Sequence, residues 1–126
     1  MSKHAVIWID HKEARVFDVH PDTFDGSAVQ SPTHHVHRHP KGGEGGKEHP
    51  DDAKHFFHEV ARALEAAEEV LIVGPSTAKL ELIRYAHEHE RALERKIVGV
   101  ETVDHPSDGQ LVAYARKYFR ASDRMR

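Results

Sequence analysis

Val70-Leu71-Ile72-Val73-Gly74 is a short apolar run without alternation, closed by a glycine, and it reads as a strand covered on both faces. Directly before it, Ala53, Phe56, Phe57, Val60, Ala61, Leu64 and Ala67 recur at helical spacing and define one apolar helix face. A helix followed by a doubly buried strand is the signature of a parallel sheet, so the chain is expected to be α/β. Pro50 suits the first turn of that helix, where Asp51 and Asp52 complement its positive end.

Downstream, Pro75-Ser76-Thr77 turns the chain into a second helix carrying Leu80, Ile83, Ala86 and Leu93. Gly74-Pro75-Ser76-Thr77 reads as a helix cap and lacks the glycine spacing of a nucleotide fingerprint. Ile97-Val98-Gly99-Val100, continuing to Val103, is the next strand. The capping box Ser107-x-x-Gln110 then opens a last helix whose Leu111, Val112, Ala115 and Phe119 face inward. Upstream, His4 to Asp10 is an apolar, β-branched strand, and Asp10-His11-Lys12-Glu13 is a turn. Ala14 to His20 alternates as an antiparallel partner and ends at Pro21-Asp22. After a turn at Asp25-Gly26, Ser27 to about His37 reads as a third strand, confined by Pro32 to an edge or a bulge. The element order β-β-β-α-β-α-β-α predicts a ribonuclease-H-like arrangement, a five-stranded mixed sheet flanked by helices.

Length and composition agree with one domain over residues 1–126. The chain has 126 residues, 38% hydrophobic and 31% charged, which suffices for one core and leaves no room for a second. Without cysteine there are no disulfides or thiolate metal sites. The first residues lead straight into a strand too short for a signal peptide, and no apolar run approaches the roughly 20 residues of a membrane span, so a cytoplasmic location is expected. The formal charge is −3, which does not mark a nucleic-acid binder, although thirteen histidines add positive charge when protonated. Locally, Arg116, Lys117, Arg120, Arg124 and Arg126 face only Asp123, and the basic tail 120–126 can track phosphates.

From Arg38 to His49 all periodicity is lost. Gly42, Gly43, Gly45 and Gly46 fill four of five positions, as in a flexible loop over 38–49. Arg38, Lys41 and Lys47 flank them, and glycine admits the close backbone approach that phosphate contact needs. The order of elements, the hairpin Val6-Ile7-Trp8-Ile9-Asp10 to Ala14-Arg15-Val16-Phe17, the glycine segment ahead of a long helix, Val70 to Ser76, and the strand from Lys96 to Val103 leading to a final helix together carry a resemblance. They resemble the central domain of the archaeal and eukaryotic class I peptide-chain release factors and of Pelota, and also the small bacterial relatives called translational machinery proteins. The resemblance spans nearly the whole chain. It implies ribosome or tRNA as partner, reached through Arg38, Lys41, Gly42, Gly43, Glu44, Gly45, Gly46 and Lys47. In release factors a Gly-Gly-Gln tip promotes hydrolysis of peptidyl-tRNA, whereas here Gly42-Gly43 is followed by Glu44. A carboxylate entering a phosphate-rich pocket meets repulsion where a neutral amide would help place water. The expectation is a binding module without catalysis of its own, Glu44 being the residue at stake if it does hydrolyse.

Two alternatives rest on other residues. Asp10 and Asp104 at strand ends, with Glu13 nearby, would serve a divalent-metal-dependent nuclease. His35, His37 and His39 fall on one side of an extended strand. Neighbours in that row, about 6 to 7 Å apart, could share zinc or another divalent metal, with help from His55 and His58, but the outer pair would be roughly 13 Å apart. Without such a site no cofactor is expected. A homodimer through an edge strand or the helices stays open.

Overall fold

A computed structural model of the chain describes residues 3–31 and 50–124. The strands are β1 (His4–Ile9), β2 (Glu13–Val19), β3 (Phe24–Gln30), β4 (Glu69–Gly74) and β5 (Ile97–Thr102). The helices are α1 (Pro50–Ala63), α2 (Ala78–His89), the single turn α3 (Arg91–Glu94) and α4 (Asp108–Arg124). One sheet has the order β3-β2-β1-β4-β5, with β2 antiparallel to both its neighbours and β1, β4 and β5 parallel. This is the mixed, ribonuclease-H-like sheet that the order of elements predicts.

Strand alternation divides the core in two. Ala5, Ile7, Ile9, Val70 and Ile72 face α1 and α2, whose Phe56, Phe57, Val60 and Leu82 cover them together with Leu64, just past the end of α1. Val6, Trp8, Leu71 and Val73 face the other way, against Leu111, Val112, Ala115 and Phe119 of α4. The central strands therefore have no polar face to display, which is why β4 reads as an unbroken apolar run. At the start of α4 the predicted capping box is complete: the Gln110 amide donates to Ser107 Oγ (3.2 Å) and the Ser107 amide to Gln110 Oε1 (3.0 Å).

Three local expectations change. The third strand begins at Phe24, and Asp25-Gly26 lies inside it, because the chain already reverses through His20–Thr23, closed by the His20 amide on the Thr23 carbonyl (3.0 Å). Gly26 serves close approach instead: a Cβ there would lie 2.7 Å from the Phe17 ring. In α2 the buried residues are Ala78, Lys79, Leu82 and Ala86, while Leu80 is 54% exposed. Lys79 lies inward because its stem packs while its amine donates to the Ser76 carbonyl (2.6 Å). Leu93 is buried, but on α3, after the helix breaks at Glu90. At the start of α2 the Thr77 side chain makes no capping bond; the Ala78 amide donates to Ser76 Oγ instead (3.4 Å).

Glu90 joins α1 to the α2–α3 corner. Its Oε2 lies 2.9 Å from His58 Nδ1 and accepts from the Tyr85 hydroxyl at 2.8 Å. Burial acts to raise its pKa, but the hydrogen bonds from His58 and Tyr85 and the positive charge of His58 and His89 together hold it below the usual carboxylate range. Burial, and then the Glu90 carboxylate, push Tyr85 up to about 12. A carboxylate with a depressed folded-state pKa adds stability above its unfolded value of about 4.3, and that stability is lost as the pH falls through the folded value. Glu90→Gln is therefore expected to cost about 1 kcal/mol at neutral pH and progressively less below about pH 5. Urea unfolding of both proteins across that range checks it, and a cost independent of pH would contradict it. Among the described residues no helix is long and apolar enough to cross a membrane.

Candidate functional site

The segment holding Arg38, Lys41, Gly42, Gly43, Glu44, Gly45, Gly46 and Lys47, and the row His35, His37 and His39, lie outside the described residues. Its anchors are described. The Ser31 amide donates to the Lys12 carbonyl (2.9 Å), which ties the end of β3 to the β1–β2 turn. That turn is built by Asp10, whose Oδ1 accepts the amides of Lys12 (2.8 Å) and Glu13 (2.9 Å). On the other side α1 begins at Pro50, and its Ala53, Phe56 and Phe57 line a narrow cleft together with Asp10, His11, Ser31, Ala78 and Glu81. Both flanks of the segment thus meet at the edge where β1 and β4 end, the edge at which open α/β sheets receive ligands.

Glu81 connects this edge to α2. Its Oε2 lies 3.1 Å from His11 Nε2 and accepts the Thr77 hydroxyl at 3.2 Å. Neither Glu81 nor His11 stands out in the sequence, since 70 positions separate them and only the β1–β4 pairing makes them neighbours.

Asp10 and Asp104 both follow strands that end at this edge, but they serve different contacts. Asp10 lines the cleft beside α1 and α2. Asp104 accepts the Trp8 indole N–H on its backbone carbonyl (2.7 Å), while its carboxylate sits beside His105 Nδ1 at 2.8 Å. Glu13 accepts from Gln30 Nε2 (3.2 Å). His55 is exposed, and His58 is engaged by Glu90. Among the described residues no group of three or more His, Asp or Glu side chains stands close enough to hold a metal ion.

The basic C-terminal residues take a more definite place than a tail. Helix α4 continues to Arg124, so Arg116, Lys117 and Arg120 project from helical backbone. Arg116 donates through Nε to the His20 carbonyl (2.9 Å) and through Nη2 to the Thr23 carbonyl (2.8 Å), clasping the β2–β3 hairpin.

No protein-family model and no curated protein matches the sequence. Solved structures do match. Archaeoglobus fulgidus Pelota superposes with a TM-score of 0.65 at 13% identity, over 92% of this chain and 31% of that one. Thermoplasma acidophilum Pelota gives 0.61 at 21% identity, over 86% and 30%. The archaeal translation termination factor aRF1 gives 0.60 at 12% identity, over 98% and 39%. The chain spans less than two fifths of the length of each of these proteins. The chain has the fold of the part of Pelota and of aRF1 on which it superposes.

Proposed function

We propose that this domain is a translation-associated module that contacts ribosomal or transfer RNA through residues 38–47, with the basic end of α4 as a second contact. The observation that carries the proposal is the convergence of both flanks of that segment on one sheet edge, in a domain with the fold of Pelota and of an archaeal termination factor. Arg38, Lys41 and Lys47 supply the cations, and Gly42, Gly43, Gly45 and Gly46 let backbone amides approach phosphate oxygens. Glu44 stands where a release factor carries glutamine, so the module binds without hydrolysing peptidyl-tRNA. It works in the cytoplasm, where ribosomes are, and needs no cofactor.

Sedimentation with ribosomes over a range of salt tests the proposal. The triple variant Arg38→Ala, Lys41→Ala, Lys47→Ala is expected to lower the slope of log affinity against log salt by about 2 to 3, as the loss of three phosphate contacts requires. Unchanged co-sedimentation of that variant would sink the proposal.

A further inference from the structure

At the opposite edge of the sheet, where β1 begins and β2 ends, a groove of about 780 Å³ opens between Lys3, His4, Asp18, His20, Arg116 and Arg120. Its size falls in the roughly 300 to 1,000 Å³ range of small-ligand sites. Strand alternation sorts the charges along it. His4 shares the α4 face of β1 with Val6 and Trp8, and its ring stacks on Phe119 at 4.1 Å with 12° between the planes. Arg116, Phe119 and Arg120 are spaced i, i+3, i+4 on α4, so both guanidinium groups flank that aromatic pair. Asp18 alternates with Phe17 and Val19 and belongs to the other face, as does Asp25, its partner in the β2–β3 register. One wall of the groove is cationic, the other acidic.

Among the described residues, no carboxylate neutralises the cations on that wall. Among the described residues, Arg116 donates only to the carbonyls of His20 and Thr23, which orient its guanidinium and leave its charge intact. Among the described residues no ion pair engages Lys3 or Arg120. Of the acids nearby, Asp25 is held by His20 at 3.3 Å and Glu69 by His4 at 3.4 Å, Glu68 accepts the backbone amide of Lys3 at 3.0 Å, and Asp18 lines the opposite wall. Three permanent positive charges from the N-terminal strand and the last helix, beside a stacked aromatic pair in a ligand-sized concavity, complement an anion with planar groups attached.

We infer that this groove binds a phosphate-bearing ligand, with the phosphate between Lys3, Arg116 and Arg120. A phosphodiester backbone and a mononucleotide present the same chemistry there. The groove lies at the sheet edge away from Ser31 and Pro50, so the inference depends neither on residues 38–47 nor on the ribosome.

Amide chemical shifts of the full chain, followed by NMR during titration with inorganic phosphate, AMP and a single-stranded RNA of about ten nucleotides, test it. At low salt the amides of Lys3, His4, Val19, His20, Arg116 and Arg120 are expected to move. Lys3→Ala with Arg120→Ala is expected to weaken binding about tenfold, and with RNA to lower the salt slope by about 1.4. Both side chains are exposed, so the double variant keeps the fold, whereas Arg116 is left in place because it clasps the hairpin. The triple variant at Arg38, Lys41 and Lys47 is expected to retain these shifts, which separates failure here from failure of the ribosome proposal. Saturation by RNA but not AMP assigns a phosphodiester backbone, and equal saturation by AMP assigns a mononucleotide; either sustains the inference. No movement at the groove with any of the three probes, or undiminished affinity in the double variant, overturns it.

Discussion

Alanine at Gly74 is expected to lower the free energy of unfolding by about 3 kcal/mol or more, a large share of the roughly 5 to 15 kcal/mol available to a domain of this kind. Gly74 closes β4 beside β1, one position past the pairing of Trp8 with Val73. A Cβ there would fall inside the contact distance of the Ile9 carbonyl oxygen, with the Ile9 carbonyl carbon next at 3.3 Å. These are backbone atoms of the central strand, so no rotamer change relieves the overlap, and β1 must move away from β4. The β1–β2 turn at Asp10 follows at once, so the strain enters the edge from which the 38–47 segment is anchored. Urea unfolding followed by the fluorescence of the only tryptophan, Trp8, checks this. Gly109 is the internal control: nothing lies within 4 Å of a Cβ at that position, and alanine there, early in α4, is expected to be neutral or stabilising by up to about 1 kcal/mol. Equal effects at the two glycines would refute the close-approach argument.

Trp8→Ala is expected to cost about 4 kcal/mol. The side chain is 1% exposed and sits between β4 and α4 among Val6, Phe17, Val73 and Leu111. Its indole N–H donates to the Asp104 carbonyl, and the Arg15 guanidinium lies 4.7 Å from its ring centroid while bridging to Asp108 at 2.6 Å. Truncation therefore leaves a cavity, removes a cation–π contact and loosens the link from β5 to α4. Trp8→Phe separates the contributions: it keeps most of the packing but leaves the Asp104 carbonyl without its donor, a loss of about 1 to 2 kcal/mol. Circular dichroism must follow unfolding here, since the fluorophore is gone. A Trp8→Phe loss as large as that of Trp8→Ala would mean that the hydrogen bond dominates and the packing does not.

Features carried by neighbouring residues were legible in the sequence. The Ser107–Gln110 capping box closes within four residues, and it forms as its spacing predicts. The face of α1 is legible because Phe56, Phe57, Val60 and Ala61 are buried and Ala53 is partly so, while Leu64 and Ala67 of the same pattern are buried beyond the end of the helix at Ala63. The start of β3 was not legible, because Asp25-Gly26 carries a turn signature while its actual use is to clear the Phe17 ring on the neighbouring strand. Helix α2 misled in a similar way: a lysine at the inward position is acceptable only because Ser76 accepts its amine, and Leu80 is left outside.

The glycine- and cation-rich segment was visible from composition, but its anchoring edge was not. His11 and Glu81 stand 70 positions apart, and His20 and Arg116 stand 96 apart. By itself the sequence determined the order and kind of the elements, because burial leaves a period of two in strands and of about 3.6 in helices wherever it acts. Only the tertiary structure decided which charges share a surface. The strand order β3-β2-β1-β4-β5 and the packing of α4 across one face bring Lys3 and His4 beside Arg116 and Arg120, and no local pattern encodes a contact made through a sheet.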